Sequence, residues 1–251
     1  MSELLPVSQA ESLRASLLEY LKTTFALADN DMQAALEEFL QSPEHGLFRG
    51  PYVRLRLPFR PAQDGWRDTL DWDGDFQPYG HQAAAFARLS SVGLDAQRPR
   101  PLPTLVTTGT GSGKTEAFLY PIIDHVLRTQ RAGLTGTKAI VLYPMNALAN
   151  DQAQRLARMI TGNPDLGGIT AALFTGQDGP QRSKVMPDSL ITSRDVIRDT
   201  APDILLTNYK MLDQMLLREP DANIWAQSAH SLQYLVLDEF HTYDGAQGSD
   251  V

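Results

Sequence analysis

The stretch Thr108-Gly-Thr-Gly-Ser-Gly-Lys-Thr115 constrains this chain more than any other, because it follows an apolar run, Leu102 to Thr107, and opens a segment with helical periodicity. A glycine-rich turn between a strand and a helix presents successive backbone N–H groups where the helix dipole favours negative charge. The pattern therefore reads as a phosphate-binding P-loop. Gly109, Gly111 and Gly113 let the backbone close around phosphate oxygens, with Thr108, Thr110 and Ser112 between and beside them. Lys114 can reach the β and γ phosphates of ATP, and the hydroxyl of Thr115 can ligate Mg²⁺. Position 108 is threonine where the strict pattern has glycine. A dinucleotide-binding turn is disfavoured, since after Gly109 and Gly111 its third glycine would fall on Lys114.

From Phe76 onward, short apolar runs alternate with helical stretches, the order of a parallel sheet with crossover helices. Strands are expected at Leu102 to Thr107, Ala139 to Tyr143, Ile169 to Phe174, Asp203 to Leu206 and Tyr234 to Leu237. Helices are expected at Glu116 to Thr129, with Pro121 kinking it, at Asn146 to Ile160 and at Tyr209 to Arg218. The stretch Gly176 to Pro202 reads as a loop with room for a short helix.

One of these strands carries chemistry at its end. Tyr234-Leu-Val-Leu-Asp-Glu-Phe-His241 closes in adjacent carboxylates, the arrangement in which Asp238 holds Mg²⁺ and Glu239 orients and deprotonates an attacking water. Alternation would send the two carboxylates to opposite faces of a continuing strand, so the chain must turn there.

The amino-terminal part reads differently. Leu13, Leu17, Leu21 and Phe25, then Met32, Leu36 and Leu40, recur at helical spacing, with Asn30 and Asp31 available as a cap between two helices. Val53, Leu55, Leu57 and Phe59 alternate with Arg54, Arg56 and Arg60, as in a strand with a basic outer face whose arginines deter edge pairing. A net charge of -8 removes any domain-wide basic footprint, so contact with nucleic acid has to be local. Absence of cysteine excludes disulfides and thiolate metal sites within these residues and fits a reducing cytosol. No apolar run approaches the roughly 18 residues of a membrane span. A cytoplasmic protein without membrane contact is expected.

Taken together, the motifs resemble those of superfamily 2 DEAD/DEAH-box helicases, with Asp238-Glu-Phe-His241 as the Walker B box. The resemblance covers residues 76–251 and implies an α/β fold: a RecA-like P-loop parallel sheet with flanking helices, residues 76–251, preceded by a small helical extension with one basic strand, residues 1–75. It implies Lys114, Asp238, Glu239 and His241 as the catalytic set. Tyr79-Gly-His-Gln82 resembles the adenine-reading Q motif, with Gln82 on the base edge and Tyr79 or Phe76 as a stacking face. Tyr143-Pro-Met-Asn-Ala-Leu148 resembles motif Ia, although Met145 and Asn146 stand where Thr and Arg are common. Phe174-Thr-Gly176 and Leu206-Thr-Asn-Tyr209 resemble the next two backbone-contacting motifs. A nucleic-acid face at Pro144, Asn146, Thr175, Gly176, Thr207 and Asn208 follows, taking a single strand, DNA by preference, through its phosphates. The wording of the motifs is similar to that of Lhr-like and YprA-like helicases, phage-defence types included.

The sequence ends at Val251, shortly after the Walker B box. The coupling motif that follows in such helicases, and the second RecA-like lobe with its arginine finger, are expected to lie in a longer protein or a partner chain. Such fingers contribute roughly 10³ to 10⁵ in rate, so slow hydrolysis and no unwinding are expected of these residues alone. The alternatives are a non-catalytic, nucleotide-switched interaction module, which would have no need of Glu239, and a small-molecule kinase, for which no acceptor pocket is identifiable.

Overall fold

The computed structural model describes residues 6–47, 58–72, 74, 76–109, 111–177 and 179–243. The basic strand expected from Val53, together with Thr110 of the P-loop and the stretch containing Gly245, Gly248 and Ser249, falls wholly or largely outside these residues. The chain separates into two compact units, residues 1–58 and 59–251.

In the first unit, α1 (Pro6–Thr24) and α2 (Asn30–Gln41) are joined by an ion pair, Lys22 to Glu37 at 2.9 Å. The cap of α2 is Asp29, not Asn30 or Asp31 as its sequence suggests. The Asp29 carboxylate accepts from the N–H groups of Asp31 and Met32, which places both alternatives inside the first turn. Of the apolar side chains that predict these helices, Leu13, Leu17, Phe25 and Met32 are exposed, and Leu21, Leu36 and Leu40 are half-buried.

The second unit is a three-layer α/β/α sandwich. Strands β1 (Ala139–Tyr143), β2 (Ala171–Phe174), β3 (Ile204–Asn208) and β4 (Tyr234–Leu237) form a parallel sheet in the order β2-β3-β1-β4. Alternate residues of β1 enter opposite cores. Ala139, Val141 and Tyr143 pack with Ile122, Ile123 and Val126 of α4 (Lys114–Arg131) and with Leu156 and Ile160 of α5 (Asn146–Gly162). Ile140 and Leu142 pack with residues of α6 (Arg194–Asp199), α7 (Tyr209–Leu217) and α8 (Ala222–Ser228), including Ile197, Met211, Met215 and Ile224. Strands buried on both faces read as continuous apolar runs, and for this reason β1 and β3 are visible in the sequence. A third cluster, Trp66, Leu70 and Phe86, seats α3 (Gly80–Leu89). Pro121 lies within an uninterrupted α4.

The strand expected at Leu102 to Thr107 is not formed: the segment joins no ladder, and Leu105 is 74% exposed. Pro99, Pro101 and Pro103 remove alternate amide donors on the approach. The neighbouring groups bond elsewhere, Leu102 N–H to the Arg88 carbonyl and the Arg88 guanidinium to the Pro103 carbonyl. β4 is accordingly an edge strand, with Leu235 exposed.

Where β1 and β3 begin, Lys138 and Asp203 form a buried ion pair at 2.7 Å. The other Asp203 oxygen accepts from Gln130 Nε2 and from the amide and hydroxyl of Thr170. A second polar knot joins α4 to the chain before and after α3. Asp124 accepts from the amides of Asp71 and Trp72, Arg128 reaches Asp71, Asp124 and Ser91, and His125 Nδ1 lies 2.7 Å from Ser91 Oγ. Burial, with the Arg128 and Lys138 charges adding to it, holds His125 down to about 4. Its folded value is thus below the unfolded one near 6.5, so the stability it contributes is present above pH 6.5 and lost as pH falls toward 4. Urea titrations from pH 7 to 4 are expected to show a loss of about 3 kcal/mol that His125→Gln lacks.

Candidate nucleotide site

The P-loop leads from the unpaired segment into α4. Gly111 and Gly113 both have φ of 75°, a left-handed conformation that a side chain would strain, and Gly113 is the N-cap of α4. The loop is held from behind by α3. Gln82 donates its amide N–H to the Gly113 carbonyl at 2.9 Å, and its side-chain oxygen accepts the Tyr79 N–H at 2.8 Å. His81 Nε2 lies 2.9 Å from the Ser112 carbonyl, and the Thr108 and Ser112 hydroxyls bond each other. A Cβ on Gly113 would displace the Gln82 amide from the loop in addition to straining φ.

Gln82 therefore has a positioning role that its place in the sequence does not reveal, since the contact to Gly113 spans 31 residues. One donor hydrogen and one acceptor lone pair of its amide remain for a base edge. Gln82→Ala is expected to destabilise the fold by about 2 kcal/mol through two lost hydrogen bonds and to weaken nucleotide binding, read in denaturant midpoints and an ATP titration. The Tyr79 ring stacks on His81 with centroids 5.8 Å apart and meets Phe59 at 5.4 Å, so one face of this tyrosine is already covered. Phe76 packs against Tyr120 in the aromatic cluster around Trp66 and Trp72.

The carboxylates arrive from the other side. β4 ends at Leu237, and Asp238 N–H continues the ladder to the Leu142 carbonyl. The turn demanded by the adjacent acids is made by Glu239, which has φ 49° and is the sole non-glycine residue with positive φ among the described residues. This turn frees Glu239 N–H to donate to its neighbour's carboxylate at 2.9 Å. Thr242 closes the turn through its amide and hydroxyl, both on the Glu239 carbonyl. His241 Nδ1 lies 3.4 Å from the Glu239 carboxylate. Burial pushes Asp238 above the ordinary carboxylate range, with the Glu239 charge adding to the rise and Lys114 opposing it. Tyr143 is pushed up chiefly by burial and secondarily by the Asp238 charge, and Tyr243 likewise to about 12.

These pieces face one cleft of about 1230 Å³, lined by Thr108, Lys114, Asp238, Glu239 and His241 and, along its length, by the segment before the P-loop and by β4. Thr115 follows Lys114 in the first turn of α4. Among the described residues no group of three metal-binding side chains occurs. A magnesium ion bound with nucleotide needs no such cage, because it takes most of its ligands from phosphates and water.

The residues expected to meet nucleic acid lie at the carboxyl ends of β1, β2 and β3, the side of a parallel sheet where ligands bind. Asn208 donates to Asn146 at 2.6 Å and caps α7 by accepting from Met211 N–H. Pro144 and Gly176 are accessible, and Thr175 is buried beside them. Thr207 differs from expectation. It is fully buried and donates its hydroxyl to the Phe174 carbonyl at 2.6 Å, so it ties β3 to β2 and has no hydroxyl left for a phosphate. Among the described residues no helix is long and apolar enough to cross a membrane.

A P-loop lysine and paired carboxylates facing one cleft at the end of a parallel sheet define the ATP-binding domain of a helicase with a RecA-like fold. The chain belongs to the DEAD/DEAH box helicase family, whose sequence pattern matches residues 81–251. It is 27% identical to the Druantia protein DruE of Escherichia coli over 96% of this chain and 19% of that protein. It is 32% identical to the ATP-dependent helicase YprA of Bacillus subtilis over 69% of this chain and 19% of that protein. Among solved structures it is similar to the DUF1998 helicase MrfA bound to DNA and AMPPNP, with 26% identity, a TM-score of 0.53, and coverage of 76% of this chain and 24% of that one. The chain thus spans about a fifth of the length of DruE and YprA.

Proposed function

We propose that this chain is the first motor lobe of a cytoplasmic DNA helicase or translocase, binding Mg–ATP in the cleft and coupling its hydrolysis to a single strand held across the carboxyl ends of β1 to β3. The observation that carries the reading is the meeting of Lys114 with Asp238 and Glu239 in one cleft. Lys114 has no hydrogen-bonding partner among the described residues and is available to phosphates. Thr115 and Asp238 would hold Mg²⁺, which supplies charge neutralisation at the phosphates. The fit rests on Asp238, whose partly buried carboxylate accepts, among the described residues, the Glu239 N–H alone and gains from a nearby cation.

DNA is preferred because the similar MrfA structure contains it. In this reading residues 1–75 are an extension, residues 76–251 belong to the motor, and a second RecA-like lobe completes the ATP site with the groups that make hydrolysis fast. A nucleotide-switched interaction module is disfavoured by Glu239, whose base would then serve nothing.

The test is ATP turnover by the purified chain with Mg²⁺, in the presence and absence of single-stranded DNA and RNA, beside an ATP-binding titration. Mg-dependent binding with slow turnover supports the reading, and stimulation greater by DNA than by RNA supports the choice of strand. Failure to bind ATP would overturn it.

A further inference from the structure

Beyond the residues assigned to the nucleic-acid face lies a hollow of about 450 Å³, bounded by α5, the end of β2 and the loop from Gln177 to Arg194. This volume is within the roughly 300 to 1,000 Å³ of small-ligand sites. It is continuous with the proposed track, because Thr175 lines both and Asn150 stands one helical turn along α5 from Asn146.

Two guanidiniums line it. Arg194 lies over the Phe174 ring, 5.7 Å from its centroid, and touches the Thr175 carbonyl at 3.4 Å. Arg182 has its backbone fixed by three hydrogen bonds: its N–H donates to Thr192 Oγ1, and its carbonyl accepts from the Thr192 and Ser193 amides, while Thr192 Oγ1 in turn donates to the Pro180 carbonyl. Its guanidinium has no partner among the described residues. Amides complete the lining. Asn150 donates to Gln177 at 3.1 Å, whereas the Gln154 side chain is unpaired among the described residues. The loop wall is stitched to the edge of β2, Leu173 N–H to the Ile191 carbonyl and Ile191 N–H to the Ala171 carbonyl. One carboxylate, Asp188, also lines the hollow.

A pre-formed hollow lined by two cations and an unpaired amide matches a ligand that is anionic at one end and carries hydrogen-bonding edges at the other. Arginine serves both phosphate and base stacking, and glutamine pairs with base edges. From this geometry we infer that the hollow seats one unstacked nucleotide of the bound strand, its phosphate on Arg182 and Arg194 and its base edge on Gln154. The inference rests on the reading that this lobe carries a single strand, and gives that strand a pocket where the backbone track alone would give none.

The test uses the full chain and a fluorescein-labelled oligothymidylate, titrated across salt concentrations, beside a same-length oligomer lacking bases. Arg182→Gln is expected to weaken oligothymidylate binding about tenfold and to reduce the slope of log affinity against log salt by about 0.7. Arg194→Gln should act in the same direction, but Arg182 is the cleaner variant because its side chain holds no part of the fold. Arg131→Gln, exposed in the last turn of α4 and away from the hollow, is the charge control and should do less than either. Gln154→Ala should weaken binding of oligothymidylate and leave the base-free oligomer unaffected. If Arg182→Gln and Arg131→Gln behave alike, the hollow is not on the strand's path and the inference is overturned. Equal effects of Gln154→Ala on both oligomers would overturn the seat for a base. Should the unmodified chain bind ATP but neither oligomer, the strand-binding reading itself falls, an outcome distinct from a silent Arg182.

Discussion

Lys114→Ala is expected to lower Mg–ATP affinity by about 10- to 100-fold while leaving the thermal midpoint of the chain unchanged. The first half follows from charge. Lys114 and Arg100 are the strongly basic residues lining the cleft, and Lys114 opens α4 directly behind the glycine turn. A hydrogen bond between a charged pair contributes about 1.5–3 kcal/mol, which is that range of affinity. The second half follows from what Lys114 does not do, since its ammonium makes no hydrogen bond or ion pair with the described residues. Titration of a fluorescent ATP analogue, run beside a melting curve, reads both. A fall in midpoint matching the fall in affinity would mean that the lysine supports the fold and not the phosphates.

Glu239→Gln is expected to have the opposite signature, with ATP bound as before and turnover reduced about 10²- to 10⁴-fold, the usual contribution of a positioned general base. Glutamine keeps the size of the side chain and tolerates the left-handed turn no worse than glutamate, so Asp238 should still receive the backbone N–H that the turn provides. What disappears is the acceptor for a water proton and the contact to His241. Phosphate release measured under single-turnover conditions separates this loss from slow product release. Undiminished release would show that Glu239 is not the base.

Both predictions concern residues that the sequence presents openly, and the reason is locality. The P-loop, β1 and β4 are each contained in a few consecutive residues whose chemistry or burial repeats at short range. The parts that were not legible depend on partners far away. The apolar run from Leu102 has the composition of a strand, yet strand formation needs a neighbour with free donors and acceptors, and alternate prolines removed donors on its approach. Gln82 could be matched to a motif, but its hold on the Gly113 carbonyl exists only once α3 lies behind the loop. Thr207 carries the right group for a phosphate and spends it on Phe174, a competition decided by the register of β2 against β3. Asp29 displaced Asn30 and Asp31 as the cap because three adjacent residues could each cap, and nothing local ranks them. The hollow at Arg182 and Arg194 left no trace, since its walls come from a helix, a strand end and a loop that have no common period.

The left-handed turn at Glu239 sets two selective pressures against each other. Glutamate held there costs about 1 kcal/mol relative to glycine, a cost that asparagine partly escapes because its short polar side chain bonds the local backbone. Random mutagenesis scored only for thermal resistance should therefore enrich Gly or Asn at 239 and return proteins that are tougher and chemically silent. The position is one where a library screened for solubility would erase the activity it was meant to preserve. A screen that retains glutamate at 239 has to recover that free energy elsewhere, in the core between α4 and β1 or in the exposed apolar stripes of α1 and α2.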